Sequence, residues 1–269
     1  MRITRFAAAD EVSYGLVGTA RAGSAAAGGE VIAELTGHPF GGRDSIKLTG
    51  TTYLIDEVRL LAPVIPSKVI GFGPPAPGPA GRADDGPGDG SVMYLKPSTA
   101  VCGPSDAIRH PALTRRLEAT GELAVVIGRL CRQVPAEQAA AAIFGYACAL
   151  DVTAADLGER DGQWARAKGF DTFCPLGPWL ETQAGGELEL VTSVNGKVRQ
   201  RARVPVPGRD AAALVAAASN VMTLLPGDVL LAGAAGGAGP GGVALECGDD
   251  VSVSIDGIGT LTNRVEKGD

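Results

Sequence analysis

Short runs of β-branched and aliphatic residues, separated by Gly, Pro and Asn-Gly breaks, make up most of this chain, and only two stretches carry a helical pattern. Tyr14-Gly15-Leu16-Val17 and Val31-Ile32-Ala33-Glu34-Leu35 predict a small N-terminal β meander. Val92 to Leu95 and Leu123 to Ile127 predict further strands, the second of them apolar throughout and therefore buried. Ala136 to Ala149 predicts a helix running into strand-like residues. Asn195-Gly196, between Leu190–Val194 and Val198–Gln200, is the strongest hairpin signal in the chain, because both residues tolerate the positive φ that a tight hairpin turn requires. Ala211 to Leu225 predicts a helix, capped by Asp210 and stopped by Pro226-Gly227. Val229–Leu231, Val251–Ile255 and Gly259–Thr262 predict closing strands. The pattern as a whole is mixed α/β but rich in β-structure.

The two prolines in Leu61-Ala62-Pro63-Val64-Ile65-Pro66 mark an extended boundary, so residues 1–62 are expected as a small N-terminal β subdomain and 63–269 as the main domain. Between Gly73 and Gly90, eleven of the eighteen residues are Gly or Pro, and a mobile loop is expected. With 30 acidic against 24 basic residues the net charge is −6, and no Lys/Arg run offers a phosphate-neutralising surface, which argues against nucleic acid as a partner. No apolar stretch approaches the ~18 residues of a membrane span. A soluble, cytoplasmic protein is expected. Its five cysteines are widely spaced, with no Cys-x-x-Cys pair, and are expected to be reduced and mostly buried.

Several segments, met in order, resemble the fumarylacetoacetate hydrolase family: Pro66-Ser67-Lys68-Val69-Ile70-Gly71, Tyr94-Leu95-Lys96-Pro97, Gly121-Glu122 through Gly128, Gly145-Tyr146 leading to Asp151, and Lys168 through Trp179. Val194-Asn195-Gly196, Leu225-Pro226-Gly227-Asp228 and Gly257 through Leu261 continue the series. The resemblance implies a β-roll or barrel-like C-terminal domain, a homodimer, a small dicarbonyl substrate, a divalent metal and no organic cofactor.

That metal is implied to be Mg²⁺, Mn²⁺ or Ca²⁺, held by a Glu-x-Glu pair and a later Asp, because hard cations prefer several oxygen ligands. Glu122 matches the second Glu and Asp151 the Asp, but Thr120 stands where the first Glu is implied. Glu118 would lie about 6.6 Å further along a regular strand, too far to share the ion without a bulge. Two readings of Glu122 and Asp151 stay open: a weak Mg²⁺ or Mn²⁺ site completed by the Thr120 hydroxyl and water, or a pair that only hydrogen-bonds backbone and Lys168.

Other implied groups are also replaced. The family's catalytic loop, with its Asn-Tyr pair and water-activating His, corresponds to Gly73–Gly78, and no His occurs between His38 and His110. Ala155 replaces an Arg, and Ala232-Gly233-Ala234-Ala235 a Thr-Gly-Thr-Pro segment. The remaining candidates are Lys168, Glu122 and Asp151 for catalysis, with Tyr146, Gln163, Asp156 and Lys96 for substrate binding. Three functions are compatible with this set: a repurposed enzyme that isomerises, cyclises, decarboxylates or cleaves a dicarbonyl or enol; a conventional metal-dependent hydrolase or decarboxylase; and an inactive binding protein.

Overall fold

The computed structural model describes residues 1–19, 29–41, 46–73, 92–206, 209–232 and 242–268. The N-terminal strands are β1 (Arg2–Ala8), β2 (Glu11–Thr19), β3 (Glu30–Thr36), β4 (Lys47–Leu54) and β5 (Arg59–Leu61). They are followed by β6 (Lys68–Gly73), β7 (Val92–Pro97), β8 (Val101–Cys102), β9 (Ile108–His110), β10 (Leu117–Ile127), β11 (Ile143–Ala154) and β12 (Cys174–Glu181). Next come β13 (Gly186–Val194), β14 (Lys197–Val206), β15 (Val229–Leu231), β16 (Val243–Leu245), β17 (Asp250–Ile255) and β18 (Gly259–Lys267). Four α-helices, α1 (Ala136–Ala139), α2 (Ala155–Asp161), α3 (Ala165–Lys168) and α4 (Arg209–Val221), and three 3₁₀ turns complete the described elements.

One large mixed sheet runs β4-β3-β2-β1-β12-β11-β10-β15-β6-β7, and a second sheet runs β14-β13-β17-β18-β9. The fold is β-rich, as the sequence pattern indicates, and the large sheet remains an open path, not a closed barrel. The N-terminal strands continue that sheet, since β1 pairs with β12 through Arg2↔Glu181 and Ile3↔Leu180.

Strand alternation divides the core in two. On β10, Leu123, Val125 and Ile127 pack with Leu190, Val251, Val253 and Leu261 of the second sheet. The intervening Ala124 and Val126 pack on the opposite face with Ala147, Ala149, Leu176, Val69 and Val229. Several residues of this second cluster are alanines, and their size lets the sheet curl. β11 and β7 lie four places apart along the strand path, roughly 19 Å across a flat sheet at about 4.8 Å per strand, yet side chains of the two strands touch. The sheet is therefore rolled, and the Ala124/Ala149 face is its inside.

Two glycines permit close approaches that shape this roll. A Cβ on Gly71 would fall 2.1 Å from the Tyr94 ring, its cross-strand neighbour, so glycine lets that ring lie across β6. A Cβ on Gly121 would fall 2.1 Å from Thr192 Oγ1 of the second sheet. There Gln200, buried, accepts hydrogen bonds from Gly121 N (2.9 Å) and Thr192 Oγ1 (2.7 Å). Buried Asp228 similarly ties β6 to β15, accepting from Ser67 Oγ (2.6 Å), Ser67 N (3.1 Å) and Leu225 N (2.8 Å).

The hairpin turn at Asn195-Gly196 forms as expected, with φ of 50° and 73°. The helix expected to run into strand-like residues over 136–149 does so, with a helical part of only two short turns. Ala136–Ala139 is a single α turn, Ala140–Ala142 a 3₁₀ turn, and Ile143 onward is strand. The alanine-rich segment yields its local helical preference to a central place between β10 and β12, where both strand edges are hydrogen-bonded. The second expected helix ends at Val221, four residues short of Leu225. The capping expected of Asp210 and the loop expected at 73–90, apart from Gly73 itself, lie outside the described residues and side chains. Four of the five cysteines are buried and all are free, but Cys247 is exposed. No helix among the described residues is long and apolar enough to cross a membrane.

Candidate active site

Inside the roll, β10 and β11 are antiparallel neighbours in a register that pairs Thr120 with Asp151 and Glu122 with Ala149. Thr120, Glu122 and Asp151 therefore project from one face, and Glu122 and Asp151 are buried. Asp151 is the hub. Its Oδ2 accepts hydrogen bonds from Lys168 Nζ (2.5 Å) and Tyr94 Oη (2.5 Å), and its Oδ1 lies 2.7 Å from Lys96 Nζ.

The two lysines are held differently. Lys96, on β7 and fully buried, points its N–H groups at three backbone carbonyls, Val152 O (2.8 Å), Phe173 O (2.8 Å) and Lys168 O (3.2 Å). With its three donors committed in this way, it meets Asp151 Oδ1 as a charge and not as an aligned hydrogen bond, which leaves that oxygen without a hydrogen-bond donor. Lys168 ends the short helix α3, donates its second hydrogen bond to Thr153 Oγ1 (2.8 Å), and stands over the Tyr94 and Trp164 rings at 4.4 and 5.3 Å.

Burial alone would raise the Asp151 pKa, but the Lys168 and Lys96 ammonium groups outweigh it and hold the carboxyl well below the usual range. Burial pushes the Tyr94 phenol well above its ordinary value, and the charges of Asp151 and Glu122 add to the rise. It also lowers Lys96, against the pull of Asp151. Cys174, on the neighbouring strand, is pushed up to about 12 by burial.

Of the candidate residues, the structure brings Lys168, Asp151 and Lys96 into direct contact and places Glu122 and Thr120 on the same face. Tyr146 is carried elsewhere. It pairs with Val125, so strand alternation turns it to the other side of the sheet, where it joins the core between the sheets. Gln163 is exposed, and its Oε1 accepts from Ala165 N (2.6 Å) at the start of α3. Asp156 joins a separate network, accepting from Thr114 Oγ1 and from Arg115 N (3.1 Å). Burial opposes its ionisation, but those donors hold its pKa below the ordinary value. Ala155 is buried at the start of α2, and of the alanine-glycine segment at 232–235 only Ala232 is described, its N–H bonding Leu123 O (2.9 Å).

Glu118 accepts from Gly242 N (3.0 Å), pairs with Arg116 (3.1 Å) and lies opposite Thr153 in the strand register, so it does not supply the missing carboxylate. Tyr94 is the member absent from the sequence-based set. The signal for it was present, since Tyr94-x-Lys96 places both side chains on one face of one strand.

A family model for the fumarylacetoacetate hydrolase C-terminal region matches residues 80–266, and a model for an Rv2993c-like N-terminal region matches residues 1–63. The chain belongs to the fumarylacetoacetate hydrolase family. It is 44% identical to Protein Rv2993c of Mycobacterium tuberculosis, with 98% of each chain covered. It is 35% identical to the oxaloacetate tautomerase YisK of Bacillus subtilis, over 79% of this chain and 75% of that one. A solved structure described as 5-carboxymethyl-2-hydroxymuconate delta-isomerase from Mycobacterium smegmatis superimposes with a TM-score of 0.82 at 43% identity, covering 99% of this chain and 100% of the other. The family is one of enzymes, and its named members here act as an isomerase and a tautomerase.

The residues present do not fit the divalent ion that the family implies. Among the described residues no three His, Cys, Asp or Glu side chains converge on one point. Asp151 already has an ammonium beside each of its oxygens.

Proposed function

We propose that this protein is an isomerase that moves a proton between the keto and enol forms, or along the enol system, of a small dicarbonyl acid. The observation that carries this reading is the buried ammonium of Lys168, anchored by Asp151 and Thr153 on the rolled face that Glu122 shares. Two of its three N–H donors are spent on these anchors. Among the described residues no acceptor takes the third, and this reading assigns it to a substrate oxygen.

In this reading the substrate carbonyl accepts a hydrogen bond from Lys168, and Glu122 takes the proton from the adjacent carbon. The electron pair of the broken C–H bond moves through the carbonyl carbon onto its oxygen, where the ammonium stabilises the enolate. Return of the proton from Glu122 to oxygen gives the enol, and its return to a conjugated carbon gives the shifted isomer. Asp151 is too weak a base to take that proton, because its carboxyl is held far below the usual range, and it serves to orient Lys168. Neither water nor a redox partner is consumed, so the absence of a His between His38 and His110 is no obstacle to this chemistry. The names of the isomerase and tautomerase relatives support the same reaction class.

The test is to follow ketonisation of enol-oxaloacetate and of longer 2-hydroxydienoates by ultraviolet absorbance. Acceleration by the native chain is expected, with a drop of about 10²–10⁴-fold in Glu122→Gln and in Lys168→Ala. A rate no greater than that of buffer across this substrate class would sink the proposal.

A further inference from the structure

We propose that Tyr94, Lys96 and Lys168 together take the place of a divalent cation on Asp151, so that the site is built to work without one. The inference rests on the isomerase reading above only for what the site does; the exclusion of the cation stands on geometry and charge.

A divalent ion held by Asp151 needs a carboxylate oxygen at close to 2.1 Å and room for the rest of its shell. Here Oδ2 receives both the Lys168 ammonium and the Tyr94 hydroxyl, each at 2.5 Å. Oδ1 faces Lys96 Nζ at 2.7 Å. None of the three is easily displaced. Lys96 is pinned by three carbonyls, and Lys168 is tied to Thr153 and covered by two aromatic rings. The Tyr94 ring lies in the space that Gly71 leaves open across β6.

Charge points the same way. Glu122 and Asp151 set two negative charges on this face against the two ammonium groups, and Thr120, directly across from Asp151, adds a neutral hydroxyl where a third carboxylate would tip the balance toward a cation. Tyr94 is thus a positioning residue. Its hydroxyl fixes the Asp151 carboxylate in the orientation that Lys168 uses, and its ring supports the ammonium.

The test is calorimetric titration of Mn²⁺ into the 269-residue chain, compared with the Thr120→Glu and Tyr94→Phe single variants and with their double variant. Circular dichroism confirms folding in each case. The native chain is expected to show no saturable binding at millimolar Mn²⁺. The double variant, with one more carboxylate and one fewer donor on Asp151, is expected to bind one ion at least about tenfold more tightly than the native chain. Asp151→Asn in that background should abolish the binding. Stoichiometric Mn²⁺ binding by the native chain that disappears in Asp151→Asn overturns the proposal, as does a folded double variant no better than native. If the double variant does not fold, the folded single variants decide: Thr120→Glu or Tyr94→Phe must gain Mn²⁺ affinity, and no gain in either overturns the proposal. Metal binding is read here without turnover, so a failed isomerase assay and a failed exclusion model give separate results.

Discussion

The Tyr94 hydroxyl donates a 2.5 Å hydrogen bond to Asp151 Oδ2, although the two residues sit on strands four places apart in the large sheet. That contact records the roll of the sheet. It also makes Asp151 a meeting point for groups from β7, β11 and α3, and the following predictions test what each of them does.

Lys168→Met should reduce turnover far more than stability. Asp151 keeps Lys96 as a charge partner, so the fold loses one side of a buried cluster but strands no carboxylate. The reaction loses its ammonium, for which a cost of about 10²–10³-fold in kcat is expected. Lys168→Arg should restore little, because a planar guanidinium does not fit the position bounded by Thr153 and two rings. Kinetics and thermal melts on the same preparations separate the two effects.

Asp151→Asn should be among the most destabilising single changes, at about 3–5 kcal/mol, because it removes the carboxylate that both buried ammonium groups contact directly. Urea unfolding measures the loss. Adding Lys168→Met to Asp151→Asn should recover part of it, and a double variant less stable than Asp151→Asn alone would show that the lysines do not need this carboxylate.

The same residue sets a pH dependence. Its folded carboxyl lies below its unfolded value of about 3.9, so its stabilising contribution is complete above that value and is lost as pH falls through the folded one. The stability gap between the native chain and Asp151→Asn should hold steady from pH 7 to pH 5 and narrow only under more acidic conditions. Urea curves across that range provide the measurement, and a gap that already closes between pH 7 and 6 would contradict it.

Gly71→Ala should disturb the site from a distance. The new methyl group would fall within 2.1–2.3 Å of two Tyr94 ring carbons and its hydroxyl oxygen, so the ring must move and draw its hydroxyl from Asp151. A loss of about 1–3 kcal/mol is expected, with turnover falling about tenfold or more as Lys168 loses its support. Tyr94→Phe should leave stability closer to native, and the pair of variants distinguishes the role of the hydroxyl from that of the ring.

Gln200→Leu tests the link between the two sheets. It removes the acceptor for Gly121 N and Thr192 Oγ1, leaving both donors buried, at a cost of about 1–3 kcal/mol by unfolding. Gly121 lies between Thr120 and Glu122, so a fall in kcat beyond the loss of folded protein would show that this link also positions the face of the site.

Much of this molecule was determined by its residues read in order. The Asn195-Gly196 hairpin follows from the positive φ its turn demands, and the buried strand at Leu123–Ile127 from its unbroken apolar run. Glu122, Asp151 and Lys168 stand out through the resemblance to the fumarylacetoacetate hydrolase family, and Thr120 as a carboxylate that the resemblance implies and the chain lacks. Tertiary structure alone decided the rest. Alternation shows that Tyr94 and Lys96 share a face, but what that face meets depends on how far the sheet curls, which is set by packing among residues distant in sequence. The same limit misplaced Tyr146, whose orientation comes from its pairing with Val125, and left open where in the alanine-rich segment helix gives way to the strand at Ile143–Ala154. Local periodicity records a residue's side of its own strand; only the curl of the sheet brings the Tyr94 hydroxyl to Asp151.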